Sequence, residues 1–174
     1  MKRLTAALTA VAIAAAALSP AAASAATYSN GTATATFAVS LTLVANCTIS
    51  ANALNFGSTG VLTSAVTGST TLAVTCTNTT PYNVGLDAGT VSGSSTTTRL
   101  MAGTTSGNTS STVSFKLYQD SAYSTNWGNT QGTDTLAGTG TGSAQTLTVY
   151  GKVPAQTTPA PDTYTTTVTA TVYF

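Results

Sequence analysis

Asp87, Asp120, Asp134 and Asp162 are the only side-chain carboxylates in the sequence. Two carboxylates at a suitable separation can hydrolyse a glycosidic bond. Asp87, Asp120 and Asp162, however, each sit among turn-forming residues, where aspartate serves to bond its own backbone. Serine and threonine nucleophiles abound, yet the chain contains no histidine to act as their base. No acid–base constellation emerges, so the chain reads as a non-enzyme without a cofactor. Cys47 and Cys76 are the only cysteines, and a zinc site would need two further ligands that a His-free chain does not offer. Tyr118, Tyr123 and Trp127 are of the right types for a sugar-stacking platform, although the same residues suit core and hairpin packing. Asn30, Asn46, Asn78 and Asn108 each begin an N-x-S/T triplet, which chance explains in a threonine-rich chain. The Gly-x-Gly pattern at Gly138 lacks the strand–helix context of a phosphate loop.

The chain of 174 residues fits one domain behind a leader. Met1, Lys2 and Arg3 give a positive start, Leu4–Leu18 is mostly apolar, and Ala23-Ser24-Ala25 supplies a small-residue cleavage pattern. Residues 1–25 therefore read as a secretory signal peptide. Export places Cys47 and Cys76 in an oxidising compartment, where a lone even pair reads as a disulfide worth roughly 3 kcal/mol by loop closure. Beyond the leader only Arg99, Lys116 and Lys152 face the four aspartates, and there is no glutamate. So little charge gives no counterion release on a phosphate backbone, which argues against nucleic acid as a partner. It also gives little colloidal repulsion, which suits a protein that packs against others. No second long apolar stretch follows, so no membrane insertion of the mature chain is expected.

Helix periodicity is almost absent after the leader; threonine and valine dominate and apolar residues alternate. Leu72, Val74 and Cys76 share one strand face, as do Tyr82, Val84 and Leu86, then Val113, Phe115 and Leu117, then Leu147 and Val149. The segment ALNFGSTG brings Leu54 and Phe56 to a glycine turn. Residues 90–111 read as a surface loop with one short strand at Thr98–Ala102. The stretch from Ser121 to Asp134 resembles the turn-rich end of a hairpin. Thr163–Phe174 reads as one final strand with Tyr164, Thr166, Val168, Ala170, Val172 and Phe174 on one face. Short strands at this spacing specify an all-β sandwich.

One element is left over. From Ala33 to Leu43 the sequence ATATFAVSLTL alternates cleanly and runs straight on to Cys47, with no turn chemistry at Val44, Ala45 or Asn46. The last strand meanwhile has no return partner, which leaves an open edge. The economical expectation is that residues 26–44 form a donor strand that inserts into a neighbouring copy. Burying Ala35, Phe37, Val39, Leu41 and Leu43 would contribute on the order of 8–12 kcal/mol gross. Such a head-to-tail contact does not close on itself, so it builds a fibre.

The stretches NCTISANALNFGSTG, TCTNTTPYNVGLDAGT, LTVYGKVPAQ and DTYTTTVTATVYF together resemble the spore coat protein U domain family, which includes subunits of Csu-type (archaic chaperone–usher) pili. The resemblance covers residues 45–174 as the domain, with 26–44 as the donor segment. It implies an incomplete immunoglobulin-like β-sandwich lacking its final strand, with Phe37, Val39, Leu41 and Leu43 donating and Cys47 bonded to Cys76. It implies that Val168, Val172 and Phe174 line the acceptor groove. It further implies a periplasmic chaperone, an outer-membrane usher, sister subunits or further copies as partners, passage through the periplasm, display in a surface fimbria, and a role in adhesion and biofilm formation. YGKVP matches a family signature that reads as structural. The alternative expectation is a secreted monomeric carbohydrate-binding or coat module.

Overall fold

The computed structural model describes residues 31–174, so the leader read at 1–25 and the first residues of the donor segment lie outside the described residues. Contacts divide the chain into two units, Met1–Ser40 and Leu41–Phe174. In the first, residues 31–40 carry no ladder, and Phe37 and Val39 are exposed.

The second unit is all-β among the described residues. Its strands are β1 (Cys47–Ala51), β2 (Val66–Cys76), β3 (Pro81–Leu86), β4 (Arg99–Gly103), β5 (Thr112–Tyr118), β6 (Leu136–Thr139), β7 (Ala144–Val153), β8 (Tyr164–Thr165) and β9 (Ala170–Tyr173). A six-stranded sheet has the order β1-β2-β7-β5-β4-β8, and a three-stranded sheet has the order β6-β3-β9. All pairings are antiparallel. The two sheets form a β-sandwich because each strand's apolar alternates point to one shared interior. Leu72, Val74 and Cys76 of β2, Phe115 and Leu117 of β5, and Val149 of β7 meet Tyr82, Val84 and Leu86 of β3 there. These are the alternating sets expected from the sequence.

Cys47 and Cys76 face each other at the first β1–β2 pair, with Cα atoms 4.1 Å apart, and are disulfide-bonded. The bridge spans 29 residues, so replacing both cysteines with alanine is expected to cost roughly 3 kcal/mol of stability in the loop-closure account. Urea unfolding of the double variant measures this; a loss below about 1 kcal/mol would mean the β1–β2 pairing already constrains that loop.

Two expectations are corrected. The segment Thr163–Phe174 is not one strand. Tyr164–Thr165 pairs with β4 in the large sheet, whereas Ala170–Tyr173 pairs with β3 in the small one. Residues 166–169 cross between the sheets without a ladder, because Asp87 captures the crossing: its Oδ1 accepts from Thr169 N–H (2.9 Å) and its own N–H donates to the Thr169 carbonyl (3.0 Å). Second, the short strand falls one residue late, at Arg99–Gly103, and Arg99 is not on the surface. Arg99 is 0 % exposed, and its guanidinium donates to the carbonyls of Leu86, Asp87, Thr96 and Trp127 at 2.7–2.8 Å. A buried charge persists only with such saturation.

Candidate functional site

Gly68 and Gly151 are directly opposed in the β2–β7 ladder and lie on its inward face. With no Cβ at either position, the pair leaves a shallow notch in the sheet, and the segment after β1 fills it with Leu54 and Phe56. A side chain at Gly151 would run into both residues, which gives YGKVP its physical meaning. Phe56 packs edge-to-face on Phe115, with centroids 6.2 Å apart.

Held there, residues 51–56 form one wall of a groove of about 400 Å³. The other wall is the sheet-switching segment from Tyr164 to Val168, together with Ala170. The floor comes from both sheets: Leu72, Val149, Phe115, Leu117 and Met101 from the larger, and Leu86 from the smaller. Among the described residues no charged side chain lines it. Among the described residues the bordering strands are edges, because β1 pairs only with β2, β8 only with β4, and β9 only with β3. Edge strands carry a row of N–H and C=O groups without partners. An apolar floor between such edges is suited to an extended polypeptide that offers main-chain bonds and alternate apolar side chains.

Of the expected acceptor residues, Val168 lines the groove. Val172 lies in β9 opposite Val84, packed on the core, and Phe174 is 60 % exposed and outside the lining. The two sheets to which the ends of Thr163–Phe174 belong explain the difference. The expected donors Leu41 and Leu43 are exposed, as are Phe37, Val39 and Ala35. The floor residues Met101 and Leu86 and the wall residues Leu54 and Phe56 were not expected to meet there. The signal available for them was the Gly68/Gly151 alternation, whose emptiness requires a covering segment.

The residues considered for chemistry are dispersed. Trp127 is 0 % exposed and its Nε1–H donates to the Val84 carbonyl at 2.8 Å, so it belongs to the core and not to a platform with Tyr118 and Tyr123. The four carboxylates serve separate turns. Asp120 accepts from the backbone N–H groups of Ala122, Ser124 and Thr125, and the Thr125 bond above all holds it down to about 2. Asp162 lies well below the usual carboxylate range, chiefly because Asn108 Nδ2 donates to it and then because of the Thr105 N–H. Asp134 accepts from Thr130 N–H and Asp87 from Gly89 N–H. No group of three or more His, Cys, Asp or Glu side chains is placed to hold a metal among the described residues.

A family model for the Spore Coat Protein U domain matches residues 33–171. No curated protein matches the chain. Among solved structures, it is similar to the crystal structure of the CsuC–CsuE chaperone–tip adhesion subunit pre-assembly complex from the archaic chaperone–usher Csu pili of Acinetobacter baumannii. That similarity has a TM-score of 0.53 at 25% identity and covers 76% of this chain but 40% of that one. With a family model spanning most of its length over an open-edged β-sandwich, the chain belongs to the Spore Coat Protein U domain family.

Proposed function

We propose that the chain is a non-enzymatic structural subunit of a chaperone–usher surface fibre, and that subunits join when the segment Ala35–Leu43 of one copy fills the apolar groove of the next. The observation that carries this reading is the groove itself, apolar on its floor and bounded by edges with free backbone groups. The exposed alternation of Phe37, Val39, Leu41 and Leu43 is the matching half. An inserted strand gains on the order of 8–12 kcal/mol gross from its side chains and about 1 kcal/mol net at most per ladder hydrogen bond. Before assembly a periplasmic chaperone would cover the groove and an outer-membrane usher would exchange it for the next subunit, in keeping with the chaperone-bound pilus subunit to which the fold is similar. Attachment and biofilm formation at the cell surface are the roles this assembly serves.

The test compares residues 26–174 with a variant that also lacks residues 26–44, with and without a synthetic Thr32–Val44 peptide. Heat-resistant linear polymers are expected from residues 26–174, and a monomer whose unfolding temperature the peptide raises is expected from the variant. A 26–174 chain that stays monomeric, with no stabilisation of the variant by peptide, sinks the proposal.

A further inference from the structure

On the outward face of the larger sheet, Lys116 of β5 lies directly opposite Lys152 of β7, and two residues along, Tyr118 lies directly opposite Tyr150. Residues two apart on a strand share a face, and the intervening Leu117 and Gly151 point inward and are buried. Side chains directly opposite in an antiparallel pair have Cβ atoms about 5 Å apart, and like charges placed so destabilise the sheet. Arg99 is buried, so these two lysines are all the cationic side-chain charge that the described residues present to solvent. Each of the four aspartates accepts from backbone N–H groups: Asp87 from Gly89, Asp120 from Thr125, Asp134 from Thr130, and Asp162 from Thr163 and the distant Thr105.

A third tyrosine completes the cluster. Tyr123 packs edge-to-face on both Tyr118 and Tyr150, with centroids at 5.6 and 6.4 Å, and the Lys152 ammonium sits over its ring at 5.4 Å. Tyr123 holds φ at 57°, a left-handed conformation that is costly for a bulky residue and that glycine or asparagine would adopt more easily. The Asp120 turn imposes it: Tyr123 N–H donates to the Asp120 carbonyl (3.1 Å) while the carboxylate gathers the following N–H groups. Backbone strain is thus spent to bring an aromatic ring between two tyrosines and a lysine. The ring positions the Lys152 ammonium without neutralising it.

We propose that this face is a binding site for acidic polysaccharide, the paired ammonium groups of Lys116 and Lys152 taking a carboxylate or sulfate and the Tyr118–Tyr123–Tyr150 cluster taking the apolar side of the adjoining sugar ring. An anion between the lysines relieves their repulsion. Sugar rings present both C–H surface and hydroxyls, for which tyrosine offers an apolar body and a polar tip. The site lies on the outer face, on strands that do not border the groove's open edges, so it exists in a single chain whether or not copies join.

The experiment titrates the full chain with polygalacturonate, chondroitin sulfate, neutral dextran and single-stranded DNA. Polygalacturonate and chondroitin sulfate separate a carboxylate from a sulfate preference. At least one is expected to bind, at least about tenfold more tightly than dextran or DNA, with an affinity that falls as salt rises. The double variant Lys116→Gln/Lys152→Gln is expected to lose at least about tenfold in affinity while unfolding no earlier than the parent, since it removes a like-charge pair. Tyr123→Gly, which suits the positive φ, is expected to fold normally and lose affinity about threefold. Absence of binding to both acidic polysaccharides, equal binding of dextran or DNA, or unchanged affinity in the double variant overturns the proposal.

Discussion

Replacing Arg99 with methionine is expected to cost about 3–5 kcal/mol of stability, read from the urea midpoint at constant slope. Methionine fills the space of the aliphatic stem but donates nothing. The carbonyls of Asp87, Thr96 and Trp127, and that of Leu86 at the end of β3, then lose the guanidinium that reaches all four. Each buried acceptor left alone costs about 1–3 kcal/mol. Burial also works against the guanidinium, pushing its ionisation down to about 10, with Asp87 and Asp134 pulling the other way. That penalty is already present in the parent, and removing the charge returns only part of what the stranded carbonyls lose. A domain of this size has on the order of 5–15 kcal/mol in total, so the variant sits close to unfolding. Arg99→Lys is expected to recover part of the loss, because one ammonium carries three donors at a point where the fork spreads five. A loss below about 1 kcal/mol for Arg99→Met would show that water replaces the guanidinium and that the bonds hold little.

Trp127→Ala is expected to cost about 3–5 kcal/mol, since Trp127 is the largest fully buried side chain. Trp127→Phe separates packing from hydrogen bonding: it retains much of the ring contact but strands the Val84 carbonyl, at about 1–2 kcal/mol. Far-UV circular dichroism during urea unfolding measures all three forms. Arg99 donates to the backbone carbonyl of Trp127, which loses the indole that holds it in place when the side chain is truncated, so the double variant should lose less than the sum of the singles. Additive losses would show that the hairpin end and the 86–99 connection are energetically separate.

The strands with clean alternation were legible because one side of each is buried. Leu72, Val74 and Cys76, then Tyr82, Val84 and Leu86, then Val113, Phe115 and Leu117 all point inward as their spacing requires. The disulfide followed from a lone pair of cysteines. Thr163–Phe174 misled because alternation reports which face is buried and is silent about which sheet supplies the partner. Its two ends keep the period while belonging to different sheets. Arg99 misled for another reason. In a stretch of Gly, Ser and Thr an arginine reads as solvated, and only the convergence of four carbonyls, three of them from distant parts of the chain, makes burial tolerable. The groove was half legible. That open edges border it followed from the alternation pattern, whereas its floor depended on Gly68 and Gly151 meeting across a ladder.

The position of the Cys47–Cys76 bridge has a mechanical consequence. Tension arriving along residues 41–46 enters the fold at Cys47, the first residue of an edge strand five residues long. Without the bridge, that pull would rest chiefly on the five residue pairs that join β1 to β2. With it, the load passes through the sulfurs into the end of β2 at Cys76. From there it runs along β2, whose pairing with β7 extends over ten residue pairs from Thr75 to Val66. Those bonds lie across the pull and share it in shear, so the edge strand is spared and the longest ladder among the described strands becomes the tensile member.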